Sequence, residues 1–329
     1  MPRQLPRRSL LVGGAGALGG LLAGCGSAPP RTSGGTSNNA ATSPAPVPVH
    51  DVRTAEGQVS VPQSPQRVVV LDTAELDSAL TLGVTPVGAA RGAAEPGLPD
   101  YWPAARLAGI SEVGPIGEPD LDLVTGLRPD LILSNQPCDG GRYESLSAIA
   151  PTVLTASSGY TWKQNFQTHA QALNLRASAD LVTQGYAQQL GSTLAALGGR
   201  HRTGGLRVSL LRFVEGEPPR LYARQNFLGV LLADLGLARP PAQSGPVFDV
   251  PLAGTARLAD ADGSVLFYAT YGDPAKAGTA RTVGSADWQA LEAVRTQRAF
   301  AVDDQLWFQG IGYTGANLVL AQLQKFLTA

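Results

Sequence analysis

The chain is poor in the residues from which catalytic and metal centres are most often assembled. Its 329 residues include three histidines, two cysteines and one methionine. His50, His169 and His201 stand far apart with no pair at ligand spacing, so a site for a bare zinc or manganese ion is not expected. Lysine is scarce too. Lys163, Lys276 and Lys325 are the full set, and arginine, whose planar fork of donors suits carboxylates and other oxyanions, carries nearly all the positive charge. A formal net charge of -1 gives no electrostatic footprint for nucleic acid. No glycine-rich phosphate loop sits between a strand and a helix, and no nucleophile elbow or Ser, His, Asp set is evident. The expectation is a protein that binds without covalent chemistry; a lipid-anchored hydrolase is the enzymatic alternative.

The first 25 residues read as an address. Arg3, Arg7 and Arg8 precede an uncharged run, Leu10 to Ala23, which is shorter than the roughly 20 residues that span a bilayer and therefore reads as a signal-peptide core. The run ends in Leu22-Ala23-Gly24-Cys25, which resembles the bacterial lipobox and makes Cys25 the expected lipidation site. Arg7-Arg8-Ser9-Leu10-Leu11 resembles a twin-arginine export signal, so Tat and Sec export both stay open. Residues 26–48 hold Ser, Thr, Gly, Asn, Ala and Pro with almost nothing to bury, and read as a disordered tether to the membrane. Cys138 is then left as a lone thiol, expected as a small core or loop residue.

The folded part is organised around Ala177 to Leu197. Leu181, Tyr186, Leu190, Leu194 and Leu197 recur there at helical spacing, and about 20 residues of helix run roughly 30 Å, the breadth of a small domain. Gly198-Gly199 ends it. Segments of similar size lie on either side. The expected organisation is an N-terminal lobe at 49–175, a connecting helix at 176–200 and a C-terminal lobe at 201–329, with 43% hydrophobic residues to supply two cores.

Both lobes read as α/β. In the first, strands at 67–71, 85–90, 130–133 and 152–155 alternate with helices at 74–82, 121–127 and 143–149, which implies a parallel sheet. In the second, strands at 206–213, 220–223, 264–269 and 299–302 alternate with helices at 227–235, 288–294 and 316–327. Ligands of such sheets lie beyond the carboxyl ends of the strands. That rule selects Asp72 to Glu75, Arg91, Ser134 to Gln136 and Ser157 to Trp162 in the first lobe, where Trp102 and Trp162 are the aromatic candidates. In the second it selects Arg212, Tyr222 to Asn226, Tyr271, Trp307 and Phe308. Aromatic faces with one or two guanidiniums would suit a flat, anionic chelate. Trp288 reads as core, and the glycines at 310, 312 and 315 leave the direction of Tyr313 open.

Arg67-Val-Val-Val-Leu, Glu75-Leu76, Leu82-Gly83-Val84-Thr85-Pro86-Val87-Gly88, Leu121-Asp122-Leu123 and Leu127-Arg128-Pro129-Asp130-Leu131-Ile132 resemble, in order and spacing, the substrate-binding lipoproteins of iron-siderophore, haem and cobalamin ABC importers. Arg212-Phe213, the segment Leu232 to Leu237 and Trp288 to Leu291 extend the resemblance to the siderophore-binding branch. It covers about Gln66 to Leu327. The resemblance implies two small doubly wound parallel-sheet lobes joined by one long rigid helix, a ferric siderophore held between them, and no cofactor beyond the lipid on Cys25. It also implies delivery to an ABC permease through one acidic residue on each lobe. Asp122 stands at the first of these positions; Ala256 or Arg257 stands at the second, a departure from the family pattern. A monomer is expected. The alternatives are a haem protein of the same fold, with Tyr222, Tyr271 or Tyr313 on iron, and a surface scaffold with a blocked cleft.

Overall fold

The computed structural model describes residues 47–252 and 255–328; the expected signal peptide, Cys25 and nearly all of the expected tether lie outside the described residues. Two five-stranded sheets form two α/β lobes. In the first, β3 (Val68–Val70), β4 (Gly88–Arg91), β5 (Ser111–Pro115), β6 (Leu131–Asn135) and β7 (Thr152–Thr155) lie in the order β5-β4-β3-β6-β7, all parallel. The three valines of β3 are fully buried, as a strand covered on both faces requires. The order reverses direction between β3 and β6, so the chain ends that follow those strands open a crevice.

The second sheet combines β8 (Val208–Val214), β9 (Arg220–Tyr222), β10 (Asp249–Pro251), β11 (Val265–Tyr271) and β12 (Ala299–Ala301), in the order β10-β9-β8-β11-β12. Its centre is parallel, while β9 and β10 are antiparallel to their neighbours. The turn after β8 is too short for a helical crossover, so β9 returns as a hairpin. A second hairpin, β1 (Val49–Thr54) with β2 (Gly57–Pro62), docks on β7 through the Ala55 amide, which donates to the Leu154 carbonyl at 2.8 Å. The strands β8 and β9 are among the sequence expectations but their antiparallel pairing is not, and neither are the hairpin β1–β2 and the short strands β5 and β10.

The connecting helix spans Arg176–Ala196, beginning where expected and ending short of residue 200. Its inner stripe holds the expected Tyr186, Leu190, Leu194 and Leu197 and departs at one position: Leu181 is 69% exposed, while Ala179 and Val182 turn inward. Tyr186 takes Val182 as its i−4 neighbour on the inner face, which turns Leu181 outward.

One continuous buried cluster crosses from lobe to lobe. Trp162, which opens the helix Trp162–Ala172, packs edge-on against Tyr186 of the connecting helix, Phe227 of the second lobe and Tyr313 of the closing helix Tyr313–Thr328, at ring separations of 5.7, 5.5 and 4.8 Å. Two polar anchors accompany it. Asp234 of the second lobe accepts from Lys163 Nζ at 2.5 Å and from the Tyr186 hydroxyl at 2.6 Å. Asp77 of the first lobe accepts from the amides of Thr314 and Gly315 at 3.2 and 3.0 Å, capping the closing helix from outside its own sequence. A Cβ on Gly312 would stand 2.1 Å from an Asp77 oxygen, so glycine is required for that approach.

Burial pushes the Asp77 carboxyl up to about 6, against the opposing hydrogen bonds. The folded chain therefore holds more protons here than the unfolded chain between about pH 4 and 6, and this group's contribution to unfolding free energy falls as pH rises through that window. Asp77→Asn, which keeps an acceptor and cannot ionise, is expected to gain stability relative to the native chain from pH 4 to pH 6 and to hold a constant difference above it. Urea denaturation at each pH measures the difference; one that is flat across the window would contradict the assignment.

Candidate interlobe binding site

The strand-end segments of the two sheets meet across a cleft. The first lobe contributes Arg91 at the end of β4 with the loop Gly92 to Asp100, and the loop after β7. The second contributes Arg212 from β8, Tyr222 from β9, Tyr271 from β11 and the segment Asp303 to Ile311 after β12. The loop at 92–100 reaches across: the Ala94 amide donates to the Tyr271 hydroxyl at 2.8 Å, the Asp100 amide donates to Gln305 Oε1 at 2.8 Å, and Gln305 donates to Glu95 at 2.5 Å. Gln309 joins Glu95 to Asp304, at 3.2 and 2.9 Å.

Arg212 is the centre of the site. Its Nε and Nη2 make a two-pronged ion pair with Asp304 at 2.7 and 2.6 Å, and Nη1 donates to the Tyr222 hydroxyl at 2.9 Å. The guanidinium carbon lies 4.8 Å from the ring centre of Tyr271, 5.4 Å from Phe308 and 5.9 Å from Tyr222. Burial opposes its charge, but Asp304 and Tyr222 more than offset that and hold its pKa above the ordinary arginine value. The short helix Asp304–Trp307, capped by Asp303 on the Leu306 amide at 2.7 Å, places Asp304 and Phe308 four residues apart on the face toward Arg212.

Two spaces flank this centre. On one side residues that include Tyr222, Asn226, Phe227, Phe248, Trp307 and Phe308 enclose a small apolar cavity of about 20 Å³, beside the exposed side chains of Tyr160, Val247 and Phe248. On the other, Glu95, Glu215, Thr270, Asp273, Asp303, Asp304 and Gln305 line a polar cavity of about 310 Å³. Burial, followed by the neighbouring carboxylates of Asp100, Asp304 and Glu95, raises the Asp303 carboxyl above its usual range.

The structure brings Arg212, Tyr222, Tyr271 and Phe308 together as a set. Several other expected residues are buried or engaged by neighbours in this structure. Trp307 is fully buried, donates its indole N–H to Gln322 at 2.7 Å and packs on Phe267; Trp162 is the interlobe joint described above. Trp102 is buried under the guanidinium of Arg106. Asn226 is a buried helix cap, accepting from the Gly229 amide at 2.8 Å and donating to the Ala223 and Phe248 carbonyls. Arg91 turns back on its own loop, donating to the carbonyls of Gly92, Ala93 and Glu95, with Glu112 3.5 Å away. Both prongs of Arg212 are therefore occupied, and Arg91 is held through Nη1 and Nε. Sequence reading missed Glu95 and Gln309, which lie farther along strand-end loops than the residues it selected, and Phe248, which precedes β10.

The tyrosines weighed for iron are engaged. The Tyr222 hydroxyl accepts from Arg212, the Tyr271 hydroxyl from Ala94, and Tyr313 is buried among Trp162, Phe166 and Tyr186. Among the described residues no group of three or more His, Cys, Asp or Glu is placed to hold a metal ion. Cys138 donates to Asp72 at 3.6 Å, and burial together with the carboxylates of Asp72, Glu75 and Asp139 raises its pKa, which makes it a poor nucleophile. Asp122 is exposed in the first turn of the helix Leu121–Gly126, and on the second lobe the exposed Arg257 pairs with Asp260 at 3.0 Å.

Two lobes, a rigid joint and a strand-end cleft agree with the family comparison, in which the model for "Periplasmic binding protein" matches residues 68–306. The chain belongs to that family. As a periplasmic binding protein it is 31% identical over 277 residues to the probable siderophore-binding lipoprotein YfiY of Bacillus subtilis, covering 81% of this chain and 84% of the relative. It is 26% identical to the Fe(3+) dicitrate-binding periplasmic protein FecB of Escherichia coli, covering 83% and 89%. In fold it resembles Staphylococcus aureus SirA complexed with staphyloferrin B, with a TM-score of 0.77 at 23% identity, over 84% of this chain and 98% of that one. Among the described residues no helix is long and apolar enough to cross a membrane.

Proposed function

We propose that this periplasmic binding protein captures a ferric siderophore between its lobes, outside the cytoplasmic membrane, and passes it to an ABC permease. The observation that carries the reading is the aromatic ring of Tyr222, Tyr271 and Phe308 around Arg212 at the meeting point of the two sheets, in a chain whose relatives include a siderophore-binding lipoprotein and a ferric-dicitrate-binding protein. Lipid on Cys25 would hold the protein at the membrane, with residues 26–48 as tether. Asp122 is the proposed permease contact on the first lobe. The second lobe presents the Arg257–Asp260 pair instead of a free acid, which points to a permease surface differing there from the family pattern. Because one core and two polar anchors join the lobes, capture requires little more than parting the few hydrogen bonds made by the loop at 92–100.

Tryptophan fluorescence tests the reading. Trp102, Trp162 and Trp307 are buried near the interlobe region, and a coloured iron chelate in the cleft would quench them by energy transfer. Saturable quenching by ferric siderophores of one chemical class is expected. Quenching by haem alone would replace the reading with the haem alternative, and no saturable response to either would overturn it in favour of a scaffold.

A further inference from the structure

We infer that Asp304 sets the charge specificity of the cleft, so that the protein selects a ferric chelate that is neutral or carries a protonated amine over one with net negative charge. The inference rests on the siderophore reading above and deepens it. A lone arginine in an aromatic ring would attract an anion. Here both prongs of Arg212 are occupied by Asp304, and the two side chains are only 13% and 7% exposed, so the ligand meets a neutral pair. Gln309 holds the same Asp304 oxygen that faces Arg212 Nη2, fixing the carboxylate in that position.

The polar cavity beside the pair adds charge of one sign. Glu95 is held by the amides of Gln305 and Gln309, and Asp303 by the Leu306 amide, which leaves both carboxylates without a cation. Glu215 and Lys276 offset each other at 2.7 Å. Arg91 is tied to its own loop and to Glu112, as described. Arg224, two residues beyond Tyr222, and Asp303 are both exposed, so their charges are screened by solvent and salt, while the half-buried Glu95 acts at shorter range. The apolar cavity and the exposed Tyr160, Val247 and Phe248 on the other flank suit the hydrocarbon part of a ligand. The site thus has an apolar end, a neutral centre and an acidic end, which fits a chelate with an ionised amine at one extremity.

Three linear ferric trihydroxamates that share one iron core and end in a free amine, an acetamide or a succinamate carboxylate isolate the charge. With the full folded chain, the amine-ended form is expected to bind about tenfold more tightly than the carboxylate-ended form, with the acetamide between them. Asp304→Asn, which frees Arg212, should erase or reverse that order. Asp303→Asn is a second variant that preserves the helix cap, since asparagine caps as well as aspartate. It should weaken the amine-ended form about threefold and leave the acetamide form unchanged, an outcome that a purely structural role would not give. Tighter binding of the carboxylate-ended form, or of citrate-type or catecholate chelates, by the native protein would overturn the inference and leave the siderophore reading intact. Failure to bind any chelate of any class would overturn both.

Discussion

Arg212→Ala is expected to destabilise the protein by about 3–5 kcal/mol, because it leaves the Asp304 carboxylate buried without its cation. For a folded body of this size that corresponds to a fall in melting temperature of about 5–8 °C. The cost comes mainly from the orphaned charge, since replacing a buried pair with apolar residues of similar volume is often nearly neutral. The double substitution Arg212→Met with Asp304→Leu should therefore recover most of the loss. Thermal melts of the native chain, the single variant and the double variant form the comparison. A loss below about 1 kcal/mol in Arg212→Ala would place the pair among solvent-exposed ion pairs and remove the basis for a neutral centre in the cleft.

Trp162→Ala should cost a similar amount, about 3–5 kcal/mol, as large-to-small changes of buried aromatics do. Trp162 touches the connecting helix, the second lobe and the closing helix at once, so the cavity would open where three elements meet. Trp162→Phe keeps part of the contact and should cost less. The measurement is the denaturation midpoint in urea. A side chain that stacked on ligand from an open cleft wall would show the reverse pattern, with stability nearly unchanged and affinity lost.

That contrast marks where sequence reading stopped. The rule that ligands lie beyond strand ends located the segments at Arg212, Tyr222, Tyr271 and 303–308, because it depends only on topology. It did not give side-chain direction. Within the single turn Asp304–Trp307, Asp304 and the following Phe308 face Arg212 while Trp307 packs into the core and reaches only the small apolar cavity, so a one-residue offset decides which aromatic meets the guanidinium. The same offset separates Leu181 from Val182 on the connecting helix, whose existence and length were legible from apolar spacing. The Arg212–Asp304 pair joins residues 92 positions apart, and no local pattern announces it. The hairpin β1–β2 was passed over because its alternation is half-exposed and abuts a segment with nothing to bury, and β10 because a three-residue strand carries no period.

The central claim is that the chelate sits between the lobes, touching both. Hydrogen–deuterium exchange of the soluble chain, with and without a saturating ferric siderophore, tests it most directly. Protection is expected to appear together in 92–100 of the first lobe and in 222–226 and 303–311 of the second, with the outer helices unchanged. Protection confined to one lobe, or to the hairpin β1–β2 with no change at 303–311, would contradict it.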